Sequence, residues 1–181
     1  MERNVTQIAL FAALIAALGL VPQLTLAFGV PITAQSLGVM LCGTVLGAWR
    51  GGLAALLFIG LVALGLPLLA GGRGGLGVFA GPTMGFVIGF PIAAFATGLI
   101  TQRLRALPVG WAAGLGAILG GIVVLYAFGV VGMSIVLNKT LGEAFLLVAA
   151  FLPGDAIKAV LAGLITAALA RARPGSVLSR A

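Results

Sequence analysis

Long apolar stretches, each closed by glycine, proline or a basic side chain, succeed one another along this chain and predict helices rather than strands. The runs fall at about residues 7–22, 32–49, 53–66, 84–100, 111–128 and 154–170. The third, some 14 residues, makes only ~21 Å of helix at 1.5 Å per residue, short of a ~30 Å hydrocarbon layer. It is therefore expected to start earlier, to tilt, or to end within the protein, with Arg50-Gly51-Gly52 as a tight turn before it. Between the third and fourth runs, Leu68–Thr83 carries Gly71, Gly72, Gly74, Gly75, Gly77, Gly81 and Pro82, which predicts a flexible, irregular segment. Residues 131–152 predict a partly helical connection packed on the protein, and Pro153 suits the first turn of the last helix.

Six such runs predict an all-α integral membrane protein of six transmembrane helices in a single membrane domain spanning residues 1–181. With both ends on one side, that side holds Arg3, Arg50, Arg103, Arg105, Arg171, Arg173 and Arg180, against Arg73 and Lys139 on the other. The positive-inside rule then puts both termini in the cytoplasm. Residues 8–28 resemble a signal-peptide core, but no small-residue cleavage site with a soluble domain follows, so they are read as a retained first span.

Composition narrows the function. Apolar residues make up 62% of the chain and mean hydropathy is +1.29, well above the roughly 45–50% of a soluble domain. The net charge of +7 is spread singly or in twos with no interleaved aromatics, which argues against nucleic acid. With no His and a single Cys42, a zinc or haem site is not expected and no disulfide within the chain can form. Gly71-Gly72-Arg73-Gly74-Gly75 lacks the Lys and Ser/Thr of a phosphate-binding loop, and no nucleophile stands in a recognisable setting. The chain is therefore not expected to be an enzyme or to carry a cofactor. An ATP-driven importer would need its nucleotide motifs on another chain.

One feature breaks the apolar pattern. Asp155 and Lys158 stand three residues apart at the start of the last run, neighbours on one helix face, in a chain with ten basic and three acidic side chains. Lipid does not tolerate such a pair, so it faces a cavity, a ligand or a polar partner. The helix N-terminus favours the carboxylate and opposes the ammonium, leaving Lys158 in need of its neighbour or an anionic ligand. The bland alternative is a self-satisfied pair that only orients helices. The same outer half receives Thr33 and Gln35 at the mouth of the second run, the Gly71–Thr83 segment with Arg73, and Asn138-Lys139. Together these offer a small anionic solute a cation, amide and hydroxyl groups and an acceptor, with Phe79, Phe86, Phe90 and Tyr126 as apolar walls. Ala9, Ala13 and Ala17 form a small-residue stripe on the first helix, which either packs within the bundle or docks another chain.

Four ordered segments are similar to motifs of one family. Val30-Pro31-Ile32-Thr33-Ala34-Gln35-Ser36-Leu37-Gly38 resembles V-P-x-T-x-Q-x-x-x, and Gly65-Leu66-Pro67-Leu68-Leu69-Ala70 resembles G-L-P-V-F-A. Gly81-Pro82-Thr83-Met84-Gly85-Phe86 with Gly89-Phe90 resembles G-P-T-G-G-Y…G-F, and Pro153-Gly154-Asp155-Ala156-Ile157-Lys158-Ala159 matches P-G-D-x-x-K-A. The chain thus resembles the BioY family, the biotin-specific S-components of bacterial energy-coupling-factor (ECF) transporters, over about residues 5–170. The resemblance implies a six-helix S-component-like bundle in the bacterial cytoplasmic (inner) membrane, with biotin bound near the outer face. It also implies a transmembrane T component and two ABC ATPases as partners, with Ala9, Ala13 and Ala17 facing the T component. Asp155 and Lys158 are the implied ligand holders; whether Lys158 or Arg73 meets the biotin carboxylate stays open. Phe86 and Met84 stand where the family usually has Tyr and Gly, which removes one phenol from the expected contacts. The residues leave two other readings open: a stand-alone secondary vitamin carrier, alone or as a homodimer, and a structural or assembly membrane protein.

Overall fold

The computed structural model describes residues 2–25 and 31–180. Eight helices account for most of them: α1 Glu2–Leu18, α2 Gln35–Leu46, α3 Ala48–Ala63, α4 Met84–Arg103, α5 Val109–Ile118, α6 Leu125–Leu137, α7 Leu141–Ala149 and α8 Leu152–Ala172. Leu24–Thr25 (β1) and Pro31–Ile32 (β2) pair as a two-residue antiparallel ribbon beside the start of α2. A six-residue π turn, Leu119–Val124, joins α5 to α6, so that Val109–Leu137 is one continuous helical rod of 29 residues. Three helical stretches are long and apolar enough to cross a membrane, Met84–Arg103, Val109–Leu137 and Leu152–Ala172, and the apolar helices of α1, α2 and α3 are shorter.

The turn expected at Arg50-Gly51-Gly52 is instead inside α3, and the break falls at Gly47. Gly47 adopts φ +83°, a region that glycine enters without steric cost, and a Cβ there would meet Gln102 Nε2 at 2.6 Å. The Gln102 side-chain Oε1 accepts the Ala48 N–H at 3.2 Å, which caps the new helix. Gly51 is buried in α3 because it packs on the backbone of Cys42 and Gly43. The third helix therefore starts five residues earlier than its apolar run suggests.

α4 is the hub, packed against α2, α3, α5 and α6, while α8 lies on α5 and α2, and α1 on α2 and α3. Small residues set how closely the helices approach. A Cβ on Gly43 of α2 would sit 2.5 Å from the Ala94 carbonyl oxygen of α4, and one on Gly132 of α6 would sit 2.6 Å from Gly85 Cα. Contacts of this kind replace the hydrophobic driving force that helices lack in lipid. The core between them is apolar, with Ile15, Met40, Leu46, Phe58, Leu125 and Met133 fully buried.

The two ends of the bundle differ in chemistry. At one end lie the C-termini of α2, α4 and α8 with Arg50, Arg103, Arg171 and Arg173. Trp49 and Trp111 project outward there, 76% and 72% exposed, as tryptophans do at a membrane–water interface. The chain's tail folds back beneath this end: the Ser179 hydroxyl donates to the Thr44 carbonyl, and Arg180 donates to the carbonyls of Leu104 and Leu107 at 3.2 and 3.3 Å. The other end gathers the N-termini of α2, α4 and α8, the glycine-rich segment and α7.

Candidate functional site

α8 begins with Leu152-Pro153, and Pro153 belongs in a first turn because its missing N–H would find no helical partner there. This start places Asp155 and Lys158 one turn into the helix and on its inner side. Lys158 Nζ lies 2.9 Å from Asp155 Oδ1, with the two side chains only 15% and 8% exposed. The pair therefore looks into the protein rather than toward lipid.

It does not stand alone. Ser36, in the first turn of α2, donates its hydroxyl to Asp155 Oδ1 at 2.9 Å and accepts from Lys158 at 2.9 Å. The Tyr126 hydroxyl of α6 donates to Asp155 Oδ2 at 2.8 Å, and Lys158 also donates to the Thr33 carbonyl at 2.6 Å. An ammonium has three donors, so Lys158 has used all of them within the chain. A carboxylate offers about four acceptor positions; the described residues fill three of them, and the one they leave open is on Oδ2.

Across the cavity, Arg73 is held differently. The Leu69 and Arg73 backbones exchange hydrogen bonds of 3.0 and 3.2 Å around a tight turn in which Gly71 and Gly72 take φ +78° and +70°. This turn is the internal brace of the glycine-rich segment, which is irregular as its composition predicts. It aims Arg73 inward, where Nε–H donates to the Ala70 carbonyl and Nη1 to Thr83 Oγ1, both at 3.2 Å. A guanidinium carries five N–H donors, so three have no partner among the described residues. Burial lowers the Arg73 pKa from its ordinary value, yet a guanidinium stays protonated at any relevant pH.

Between these walls lies a cavity of about 560 Å³ including its open mouth. Thr33, Gln35, Arg73, Thr83, Phe86, Asp155 and Lys158 all line it, together with Ser36 and apolar residues including Phe90 and Phe151. Phe86 meets Tyr126 and Phe151 edge to face, with ring centroids 6.4 and 5.9 Å apart, forming an aromatic corner. No group of three His, Cys, Asp or Glu side chains that could hold a metal occurs among the described residues.

Two expectations need correction. Asn138 does not line the cavity: it is exposed and ends α6 in the left-handed conformation, φ +50°, which asparagine tolerates better than most residues. Gln35 lines the cavity, but its amide is occupied elsewhere. Nε2 donates to the carbonyls of Ile15 and Leu68 at 3.1 and 3.0 Å, and Oε1 accepts the Ala70 N–H at 3.0 Å. It braces α1, α2 and the glycine-rich segment together. Ser36, the Tyr126 hydroxyl and Phe151 escaped the sequence reading as polar or lining partners. For Ser36 a signal existed, since a charged pair in lipid needs more than one partner. On α1, Ala9, Ala13 and Ala17 lie on the exposed face while Ala12 and Ile15 face the core, so the stripe is not packed within the bundle.

The model of the BioY family matches residues 2–175. A biotin transporter BioY of Rhodobacter capsulatus is 58% identical over 99% of this chain and all of its own length. Another, of Rhizobium etli, is 52% identical over 90% of both chains. Among solved structures, the S-component for biotin from an ECF-type ABC transporter superposes with a TM-score of 0.88 at 30% identity, covering 94% of this chain and 92% of that one.

Proposed function

The chain belongs to the BioY family, and from that premise we propose that it binds biotin and serves its uptake as the substrate-specific subunit of an ECF-type transporter. It is a transporter subunit and not an enzyme. The observation that carries the reading is the division of hydrogen-bonding capacity in the cavity. Among the described residues, Asp155 keeps one open acceptor position, and Arg73 keeps open donors on the facing wall. Biotin presents the complement, with ureido N–H donors at one end and a carboxylate at the other. In this pose the ureido ring lies against Asp155 and the aromatic corner. The valerate carboxylate meets Arg73 beside Thr83, while Lys158 positions Asp155 and does not touch the carboxylate.

The membrane arrangement follows the same reading. α1, α2, α3, α4, the α5–α6 rod and α8 make six crossings of the bacterial cytoplasmic membrane, the three shorter ones tilted or partly covered by loops. The arginine- and tryptophan-rich end is cytoplasmic, which the positive-inside rule supports, and the cavity opens outward. The exposed Ala9–Ala13–Ala17 face of α1 is the docking surface for the transmembrane T component, and ATP hydrolysis belongs to the two ATPases bound to it.

The test is calorimetric titration of the purified chain with biotin in the absence of ATP and partners. One site per chain is expected. Absence of binding would remove the reading, and uptake by the chain alone in vesicles, abolished by an uncoupler, would replace it with a secondary carrier.

A further inference from the structure

The rod from Val109 to Leu137 carries a break in its periodicity that bears directly on the site. In its first half the outward positions are Trp111, Leu115 and Ile118, and the inward ones are Ala112, Ala113, Ala117 and Gly120. An unbroken α-helix of 3.6 residues per turn would carry the outward row on through 122 and 125. Ile122 and Leu125 are instead buried, with Tyr126 beside them, and the outward row resumes at Val123, Ala127, Val131 and Ile135. One residue more than an α-helix requires lies between the two halves.

The π turn Leu119–Val124 is where that residue is absorbed. The Leu125 N–H bonds to the Gly120 carbonyl, five residues back, rather than four. A π turn is a widened turn, and Gly120 and Gly121 make room for it. Side chains there would run into Thr97 of α4 and Met40 of α2. Beyond the turn, Gly129 seats the Phe86 ring, Gly132 crosses Gly85, and Tyr126 reaches Asp155 at 2.8 Å. Without the extra residue absorbed, this face would point about 100° away, toward lipid.

We propose that the π turn is a one-residue register insert that keeps Tyr126 on the Asp155 carboxylate, and that Tyr126 is thereby a positioning residue of the ligand site. The phenol fills one position on Oδ2 and orients the other toward the cavity. This deepens the biotin-binding reading and rests on it for the affinity measurements below.

The geometry makes an asymmetric prediction. Deleting Val123 removes the surplus residue, returns the turn to α geometry and leaves everything after it on the same face. Inserting an alanine between Val123 and Val124 adds a second surplus residue and turns the face by about 100°. Purified wild type, the deletion, the insertion, Tyr126→Phe and the deletion combined with Tyr126→Phe are compared by biotin titration and thermal unfolding. The deletion is expected to bind within about threefold of wild type, and the insertion to lose binding and melt markedly lower. Tyr126→Phe is expected to weaken binding about tenfold and to lower melting by the same amount in both backgrounds, as for loss of a buried hydrogen bond to a charged group. A deletion that fails to fold or bind, an insertion that binds normally, or a Tyr126→Phe effect confined to one background would overturn the proposal. If wild type itself binds no biotin, the function reading fails, and the register proposal is judged by the melting asymmetry between deletion and insertion alone.

Discussion

The two walls of the cavity each carry a cation, and the two cations are engaged to opposite degrees. On the α8 wall, Lys158 spends every donor on Asp155, Ser36 and the Thr33 carbonyl, inside a network that Tyr126 completes. On the loop wall, Arg73 spends two donors on Ala70 and Thr83 and, among the described residues, keeps the rest. A charge that is fully paired within the chain shapes a site, and a charge with spare, oriented donors can bind. The sequence, which shows only that both residues are basic, carries no trace of this difference.

Asp155→Ala breaks the comparison most severely. It strands the Lys158 ammonium, Ser36 and Tyr126 together, and removing one partner of a buried pair typically costs about 3–5 kcal/mol. Biotin affinity is expected to fall more than about 100-fold, with a lower midpoint in thermal unfolding. Arg73→Ala comes next. Hydrogen bonds to charged groups contribute about 1.5–3 kcal/mol, so affinity is expected to drop about 10- to 100-fold while melting barely moves, read by calorimetry and thermal unfolding in parallel.

Gln35→Ala has the opposite signature. It leaves the Ile15 and Leu68 carbonyls and the Ala70 N–H unpaired, at about 1–3 kcal/mol for a stranded buried group, while the folded fraction keeps biotin affinity within a few-fold. The smallest effect lies outside the site, at α7, whose start is closed by a capping box between Thr140 and Glu143. Thr140→Ala is expected to cost about 1 kcal/mol of stability and nothing in affinity. The Thr140 backbone and hydroxyl hydrogen bonds hold the Glu143 carboxyl below its usual pKa. Its contribution is therefore complete above the usual carboxylate range and is lost as pH falls through the lowered folded value. Hydrogen exchange of the α7 amides between neutral and acid pH checks this sign.

Much of the architecture was legible because apolar runs in lipid must become helices, and because Asp155 and Lys158 had nowhere to face but inward. The boundary before α3 was misread since Gly51 and Gly52 look like a turn, although Gly51 serves a close helix crossing and Gly47 makes the break. The continuity of α5 with α6 was hidden because a π turn disturbs the 3.6-residue period that reveals helices. Ser36 and Tyr126 reach Asp155 across 119 and 29 residues, and local patterns carry no record of such partnerships. Asn138 offers an amide at the expected end of the last connection, but its left-handed cap geometry belongs to the backbone, which residue chemistry and position do not reveal.

The division of labour between the two walls is tested most directly by titrating wild type and Arg73→Ala with both biotin and biotin methyl ester, which lacks the carboxylate charge but keeps the ureido ring. Wild type should favour biotin over the ester by about 10- to 100-fold, and Arg73→Ala should bind both with nearly equal, weakened affinity. Retention of the full preference for biotin in Arg73→Ala would contradict the account and return the carboxylate to Lys158.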